Sequence, residues 1–214
     1  SIPSVVSANP AAGFSIVSWN GYQSNGTKIG HGLNDAPSII ISKNLSQTSN
    51  WMVVSNQLTS YINVDNETFE LPTTTIKRLA LNLTIAEDNY GLDYQFGGTI
   101  YGAVNDKMIS YCFAEVAGFS KFGSYTGNGG TQSISLGFEP AFVLLKSSSN
   151  AFNWYIFDNK RGAGYRLFPD LSNAEDFSGN QLTSFNIDGF SLGNSGNTNL
   201  SGSTYIYMAF ANQF

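Results

Sequence analysis

Charged side chains are scarce in this sequence, where they make up 12% of the 214 residues; globular proteins carry about twice that share. Fifteen acidic residues outnumber ten Lys and Arg, the net charge is −5, and no basic run is longer than the pair Lys160 and Arg161. A surface that binds nucleic acid needs clustered positive charge to neutralise phosphates. The composition therefore predicts that nucleic acid is not a partner.

Cysteine and histidine occur once each, as Cys112 and His31. A single cysteine excludes an internal disulfide, and its apolar surroundings in MISYCFAEV indicate a small buried hydrophobe rather than a nucleophile. His31 has only Asp35 nearby as a second metal ligand, and no GxSxG segment is present to build a serine hydrolase around it. We therefore predict a structural turn role for His31, no metal site, no cofactor and no enzymatic activity.

Long apolar runs are also missing, since none approaches the ~20 residues of a membrane-spanning helix. The opening segment SIPSVVSANPAAG has neither the basic nor the apolar region of a secretion signal. We predict no membrane insertion and no export signal of the chain's own. Residues 1–11 are small, polar and proline-bearing, so they are predicted to form an N-terminal arm that orders only against a neighbouring molecule.

Glycine and aromatic residues are plentiful instead, with 22 Gly, 16 Phe and 11 Tyr. Aromatic side chains suit the pleated surface of a sheet, while Gly, Asn and Ser supply turns. No segment carries an apolar helical stripe with caps at both ends. Strands are predicted where residues alternate or run apolar after a proline, namely in FSIVSW, PSIIISK, NWMVV, MISYCFAEV, FSKFGSY, PAFVLLK, NWYIF and TYIYMAFA. The sequence therefore predicts an all-β fold.

Two halves of the sequence repeat one another. The segment AGFSIVSWNGY near the start is echoed by AGFSKFGSYTGNGG about halfway along. Four pairs share one constant spacing: Pro37 and Pro140, Lys43 and Lys146, Asn50 and Asn153, Trp51 and Trp154. We predict an internally duplicated β-sandwich-like module, with copies at 12–116 and 117–214 packed about a pseudo-twofold axis. Because the two tryptophans recur, both are predicted to be structural.

Loops that differ between the two copies are the first place to look for a binding site, because loops tolerate change better than strands do. Exposed aromatic rings among Asn, Asp and Gly suit sugar recognition, although ordinary surface or interface aromatics are the alternative. The ligand-binding candidates are Tyr90, Tyr94, Phe96, Tyr125, Phe152, Tyr165, Asp158 and Asp170.

Hydrolysis of a glycosidic bond needs only two carboxylates. Candidates for such a pair are Asp158, Asp170, Glu175, Asp176 and Asp188. Acidic surface loops contain such residues without catalysis, so the prediction of no enzymatic activity stands.

The segments YCFAEVAGFSKFGSYTGNG, FEPAFVLLK, NWYIFDNKR, LFPDLSNAE and YIYMAFA give the chain a family resemblance from Ala11 onward. The chain resembles a repeated C-terminal module of uncharacterised virion and tail-fibre-like proteins of tailed, often marine, phages. Its stretch Thr68 to Asp106 departs from the shorter Thr/Ser/Pro-rich middle that is usual in that family.

The resemblance implies a structural or adhesive protein on the exterior of a phage particle: a tail fibre, head fibre or capsid decoration that forms homo-oligomers and contacts other virion proteins. The alternative is a carbohydrate-binding or depolymerising tail component that recognises host surface glycan. A secreted β-sandwich lectin unrelated to phages is a further alternative.

Overall fold

The computed structural model describes residues 3–21, 27–58, 66–71, 76–79, 82–85, 89–93 and 104–212, with side chains described at 3–21, 28–57 and 104–212. Within these ranges the regular structure consists of β-strands and two three-residue 3-10 helices, Pro10–Ala12 and Asn56–Leu58. The all-β prediction is confirmed. Nowhere in the described ranges does a helix have the length and apolarity to cross a membrane.

The chain folds as two compact units. Unit 1 comprises Ser1–Leu71 and Lys77–Glu115, and unit 2 comprises Pro72–Ile76 and Val116–Phe214. Each unit has its own cluster of buried apolar side chains.

Among the described residues, ten strands precede the boundary at Glu115. They are β1 (Ser4–Asn9), β2 (Phe14–Asn20), β3 (Thr27–Gly30), β4 (Ile39–Asn44), β5 (Trp51–Ser55), β6 (Asn66–Leu71), β7 (Ile76–Leu79), β8 (Asn82–Ile85), β9 (Asn89–Asp93) and β10 (Lys107–Phe113). Seven of them form a sheet in the order β1-β2-β10-β4-β5-β6-β7, and a second sheet has the order β3-β9-β8. The last strand, β10, therefore lies between two early ones.

The core of unit 1 follows from alternation along β2 and β10. Val17 and Trp19 on β2 are buried, as are Met108 and Cys112 on β10, because every second side chain faces the same side of a strand. Strand β4 is the apolar run that follows Pro37, and most of its side chains are buried. The buried cluster consists of Val17, Trp19, Ile29, Leu33, Ile40, Met52, Val54, Met108, Cys112 and Ala114.

The N-terminal segment differs from the predicted arm. Ser4–Asn9 pairs with β2 of the same chain, with Ser4 opposite Trp19 and Asn9 opposite Phe14. The turn between the two strands has its own local signals, since the Asn9 side chain accepts the N–H of Ala12 at 3.2 Å and caps a 3-10 helix that begins with proline. These residues therefore pair within the chain.

Nine strands follow Val116. They are β11 (Ser120–Thr126), β12 (Gln132–Ser135), β13 (Pro140–Ser147), β14 (Tyr155–Asp158), β15 (Tyr165–Arg166), β16 (Asp176–Phe177), β17 (Leu182–Asn186), β18 (Gly189–Leu192) and β19 (Thr204–Ala211). They form a sheet of order β11-β19-β13-β14, a sheet of order β12-β18-β17 and the two-stranded ribbon β15-β16. The strand pairs whose register the structure describes are antiparallel in both units.

The residues predicted to be structural lie as follows. His31 is fully buried, and its Nδ1 accepts the N–H of Leu33 at 3.1 Å, which is a local turn contact. Trp154 is 2% exposed in unit 2. Trp51 is only partly buried in unit 1, and its ring lies 6.1 Å from that of Tyr111. The two tryptophans thus differ in depth.

Candidate functional site

The ribbon β15-β16 presents two aromatic rings to solvent. Tyr165 pairs with Phe177 and Arg166 pairs with Asp176, so the two rings share one face of the ribbon and the two charged groups share the other. Tyr165 is 41% exposed and Phe177 60% exposed. Their ring centroids are 5.0 Å apart at an interplanar angle of 59°. We call this pair the aromatic notch.

Glycine beside the ribbon fixes the position of one ring. Gly164 has a φ of +86°, and a Cβ there would lie 2.8 Å from Cε2 of Phe177. The Phe177 ring therefore occupies space beside the backbone that a Cβ would fill, and only glycine lacks that atom. The N–H of Ser178 donates to the Gly164 carbonyl at 2.8 Å and extends the pairing beyond the ribbon.

The opposite face of the ribbon is tied to the core of unit 2. The Arg166 guanidinium donates to Oδ2 of Asp176 from Nε at 3.2 Å and from Nη2 at 2.5 Å. Its carbon lies 5.5 Å from the Tyr155 ring centroid and 5.1 Å from that of Phe168, within the range of cation–π attraction. The hydrogen bonds and charge of Arg166 lower the pKa of Asp176.

A second arginine, Arg161, links two acidic residues in the segments next to the ribbon. Arg161 forms an ion pair with Asp158 and another with Glu175, the latter at 3.3 Å. Asp158 Oδ1 also accepts the N–H groups of Lys160 and Arg161 at 3.0 and 2.9 Å. Asp158 therefore acts as a turn cap, and its carboxylate is engaged within the loop.

Four of the five candidate carboxylates are engaged by neighbouring side chains. Asp158, Glu175 and Asp176 are engaged by arginines, and Asp188 accepts a hydrogen bond from Ser135 Oγ at 2.5 Å. Asp170 differs from these four. It is 6% exposed, its Oδ2 accepts the N–H of Trp154 at 3.1 Å, and its Oδ1 is buried without a hydrogen-bond partner.

Lys146 lies in the same buried region as Asp170. It is 1% exposed, and its Nζ donates to the carbonyl of Phe152 at 2.6 Å, two residues from the Trp154 amide that Asp170 accepts. Burial lowers the pKa of Lys146 to about 8, against the opposing attraction of Asp170. Burial likewise raises the pKa of Asp170, against the hydrogen bond from Trp154 and the charge of Lys146. The two groups form a buried polar pair of unit 2.

The other predicted ligand-binding residues lie elsewhere. Tyr125 is 8% exposed, stacks on Tyr205 at 5.0 Å and donates its hydroxyl to the carbonyl of Thr198 at 2.6 Å, so its ring belongs to the core rather than to a ligand surface. Phe152 is partly buried and packs against the same core. Tyr90 lies in β9, where only its backbone is described. Tyr94 and Phe96 fall outside the described residues.

Of the predicted ligand-binding residues, Tyr165 is exposed on the ribbon, and the structure adds Phe177 beside it, which the sequence analysis missed. The sequence pattern that would have indicated an exposed Phe177 is the segment EDFSGN, where one large apolar residue is surrounded by polar residues and glycine. In the part of the chain that the structure describes, no three His, Cys, Asp or Glu side chains are grouped as they would be to hold a metal ion.

Comparison with known proteins identifies the family of this chain. Residues 1–213 match the model of a domain of unknown function, DUF7483. No curated protein and no solved structure matches the chain. The match spans nearly the whole chain, and the family description names no activity.

Proposed function

The chain belongs to the DUF7483 family, and we propose that it is a structural protein of a phage virion, a tail-fibre, head-fibre or capsid-decoration module. Its role is assembly and surface attachment on the exterior of the particle, without catalysis. The proposal is supported by the resemblance carried by YCFAEVAGFSKFGSYTGNG and by the open edge of the large sheet in unit 1.

The edge strand β1 is the observation that carries the assembly role. It is the terminal strand of the seven-stranded sheet, and its sequence SVVSAN contains no charged residue and no proline. It pairs with β2 without a register shift, and Val5 is 76% exposed. Proteins that stay monomeric blunt such edges with charges, prolines or bulges. Among the described residues no strand pairs with the outer side of β1, so this edge suits the addition of another strand.

A second copy of this chain is the partner we propose for that edge. An antiparallel β1-β1 pair is self-complementary about a twofold axis, which is the commonest symmetry of homo-oligomers. Structural virion proteins act in many copies, so a self-pairing strand fits that role.

Light scattering on the purified chain tests this assembly. We expect a defined oligomer that dissociates in the variant carrying Val5→Lys and Ser7→Lys, because charges are a natural device against edge pairing. The matched control carries Leu45→Lys and Ile187→Lys, which place the same charges at exposed apolar positions outside β1 and should leave the oligomer intact. A wild-type chain that remains monomeric at all concentrations would contradict the proposal.

The duplication of the module is part of the proposal. In the large sheet of unit 1 four neighbouring strands have the order β2-β10-β4-β5, and in unit 2 the order is β11-β19-β13-β14. Each series places a late strand between two early ones. The three-stranded sheets, β3-β9-β8 and β12-β18-β17, also have the same chain order. Identical connectivity supports two copies of one ancestral module.

One side-chain contact recurs with the connectivity. Lys43 Nζ donates to the carbonyl of Ser49, and Lys146 Nζ donates to the carbonyl of Phe152. Each lysine lies near the end of the equivalent strand and reaches the same distance forward along the chain. A repeated lysine clamp of this kind supports common descent of the two units.

Carbohydrate recognition is the second candidate function, favoured by the solvent exposure of the aromatic notch. Purified chain should be retained on immobilised bacterial surface polysaccharide, and periodate oxidation of the sugar rings should abolish retention. Equal retention on oxidised polysaccharide would contradict recognition of the sugar rings.

A further inference from the structure

We propose that the aromatic notch, Tyr165 and Phe177, is a binding site for a neutral pyranose of a surface polysaccharide. The apolar C–H face of the sugar would lie against the exposed ring faces, and its hydroxyl groups would face the polar rim. This inference deepens the surface-attachment role and relies on the proposed function only for the source of the sugar.

Exposure is the first argument. The segment that leads into β16 does not cover the rings of Tyr165 and Phe177, since every residue from Leu171 to Phe177 is itself exposed. A large aromatic side chain held in water loses the free energy that burial would supply. Two such rings adjacent on one face form a cluster rather than a scattered surface residue.

Rigidity is the second argument. Strand pairing and the contact of Phe177 with the Gly164 backbone hold the two rings in position. The Arg166–Asp176 ion pair stabilises the opposite face of the ribbon. A ring that is already held in place loses little conformational entropy when a ligand stacks on it. The ring planes are inclined at 59° and the centroids lie 5.0 Å apart, so one ligand ring would contact both side chains.

The chemistry of the rim selects the occupant. The side chain of Glu175, two residues before Phe177, is 44% exposed and is oriented by Arg161. Oriented carboxylates accept hydrogen bonds from sugar hydroxyls. The three acids Asp158, Glu175 and Asp176 are balanced by two arginines and by the exposed Lys160, so the charges around the ribbon give no net attraction for an anionic sugar or an anionic lipid headgroup. The apolar area of two rings is also far smaller than the roughly 800 Å² per partner of a stable protein interface.

Calorimetric titration with four probes tests the site: maltohexaose, cellohexaose, chitohexaose and the acidic hexagalacturonate. We expect at least one neutral hexasaccharide to bind and hexagalacturonate not to bind. Tyr165→Ala and Phe177→Ala should each weaken that binding at least about tenfold. Tyr165→Phe should retain it, because the ring face and not the hydroxyl makes the contact.

Ile187→Ala is the matched control, since it truncates an apolar residue that is 88% exposed away from the ribbon. Thermal melts establish that each variant is folded. The proposal is overturned if no neutral probe binds at up to about 10 mM, if hexagalacturonate binds instead, or if folded Tyr165→Ala and Phe177→Ala bind as wild type does.

The outcomes separate this site from the assembly role. Failure of sugar binding with an intact β1-dependent oligomer would remove the site and leave the structural function. A monomer that binds sugar at the notch would remove the assembly role and leave the site.

Discussion

Gly123 lies directly beneath the phenol of Tyr207, its cross-strand partner in the β11-β19 pair. A Cβ on Gly123 would lie 2.4 Å from the Tyr207 hydroxyl oxygen and 2.6 Å from Cζ. The ring of Tyr207 also meets the edge of Phe190, with centroids 5.8 Å apart. Under the duplication proposed above, the pair at this position in unit 1 is Val17 and Ser110, which lie opposite one another on β2 and β10. In unit 2 the smaller residue, Gly123, is on the earlier strand and the larger one is on the later strand. In unit 1 the larger residue, Val17, is on the earlier strand and the smaller one is on the later strand.

We predict that Gly123→Ala destabilises the protein by roughly 1–3 kcal/mol, because the added carbon forces Tyr207 to move within a packed core. The double variant Gly123→Val with Tyr207→Ser recreates the unit 1 pair. It should cost less than the sum of the two single changes, as measured by urea denaturation. Strict additivity of the two single costs would show that the positions are not coupled.

A rise in stability with alkaline pH is expected from Lys146. Its pKa is lowered by burial from 10.5 to about 8, so between these values the unfolded chain holds a proton that the folded chain lacks. The free energy of unfolding should therefore rise as pH increases through this window, by no more than roughly 3 kcal/mol. Below about pH 8 the full cost of burying the charged amine is present.

The contribution of Lys146 is isolated by difference. Burial raises the pKa values of Cys112 and Tyr125, which makes stability fall as pH rises. Subtracting the pH curve of Lys146→Met from that of wild type removes those shared contributions. Lys43→Met is the matched control and should keep the rise, because Lys146 is intact. A difference curve that is flat from pH 8 to 10.5 would contradict the prediction.

Cys112 should be inert to thiol reagents in the folded protein. It is 0% exposed in the core of unit 1, and burial raises its pKa to about 12. Labelling with a disulfide reagent at pH 8 should be slow, limited by opening of the sheet, and should become rapid in denaturant. Rapid labelling of the native chain would place the thiol near the surface. Cys112→Ala supplies the blank.

Asn199 should be a major contributor to the stability of unit 2. Its fully buried amide donates to the carbonyls of Gly130 and Gly193 at 2.6 and 3.1 Å and accepts the N–H of Asn128 at 2.9 Å. Removing it leaves those backbone groups unsatisfied, so Asn199→Ala should cost about 2–4 kcal/mol by chemical denaturation. The exposed Asn197→Ala is the control and should change stability by less than ~0.5 kcal/mol.

The strands could be predicted from local pattern because each carries its own signal. PAFVLLK became β13, which is buried along most of its length, and TYIYMAFA became β19. The alternating FSIVSW became β2. In each case the burial of the segment follows from the apolar residues that the segment itself contains.

The site could not be predicted in the same way, because it depends on pairing between distant residues. Tyr125 precedes a glycine-rich turn and reads as a loop aromatic, but its register opposite Tyr205 turns the ring into the core. Tyr165 and Phe177 meet only because the connection between β15 and β16 folds back on itself. No local pattern contains that information.

The position of β19 has a consequence for synthesis of the chain on the ribosome. Because β19 lies between β11 and β13, those earlier strands emerge with no partner along the edges that will later receive it. The nascent apolar segments must wait until Ala211 has left the exit tunnel, and such non-local closure is slow. A stop codon before Thr204 would therefore release a chain with a gap in the middle of its sheet.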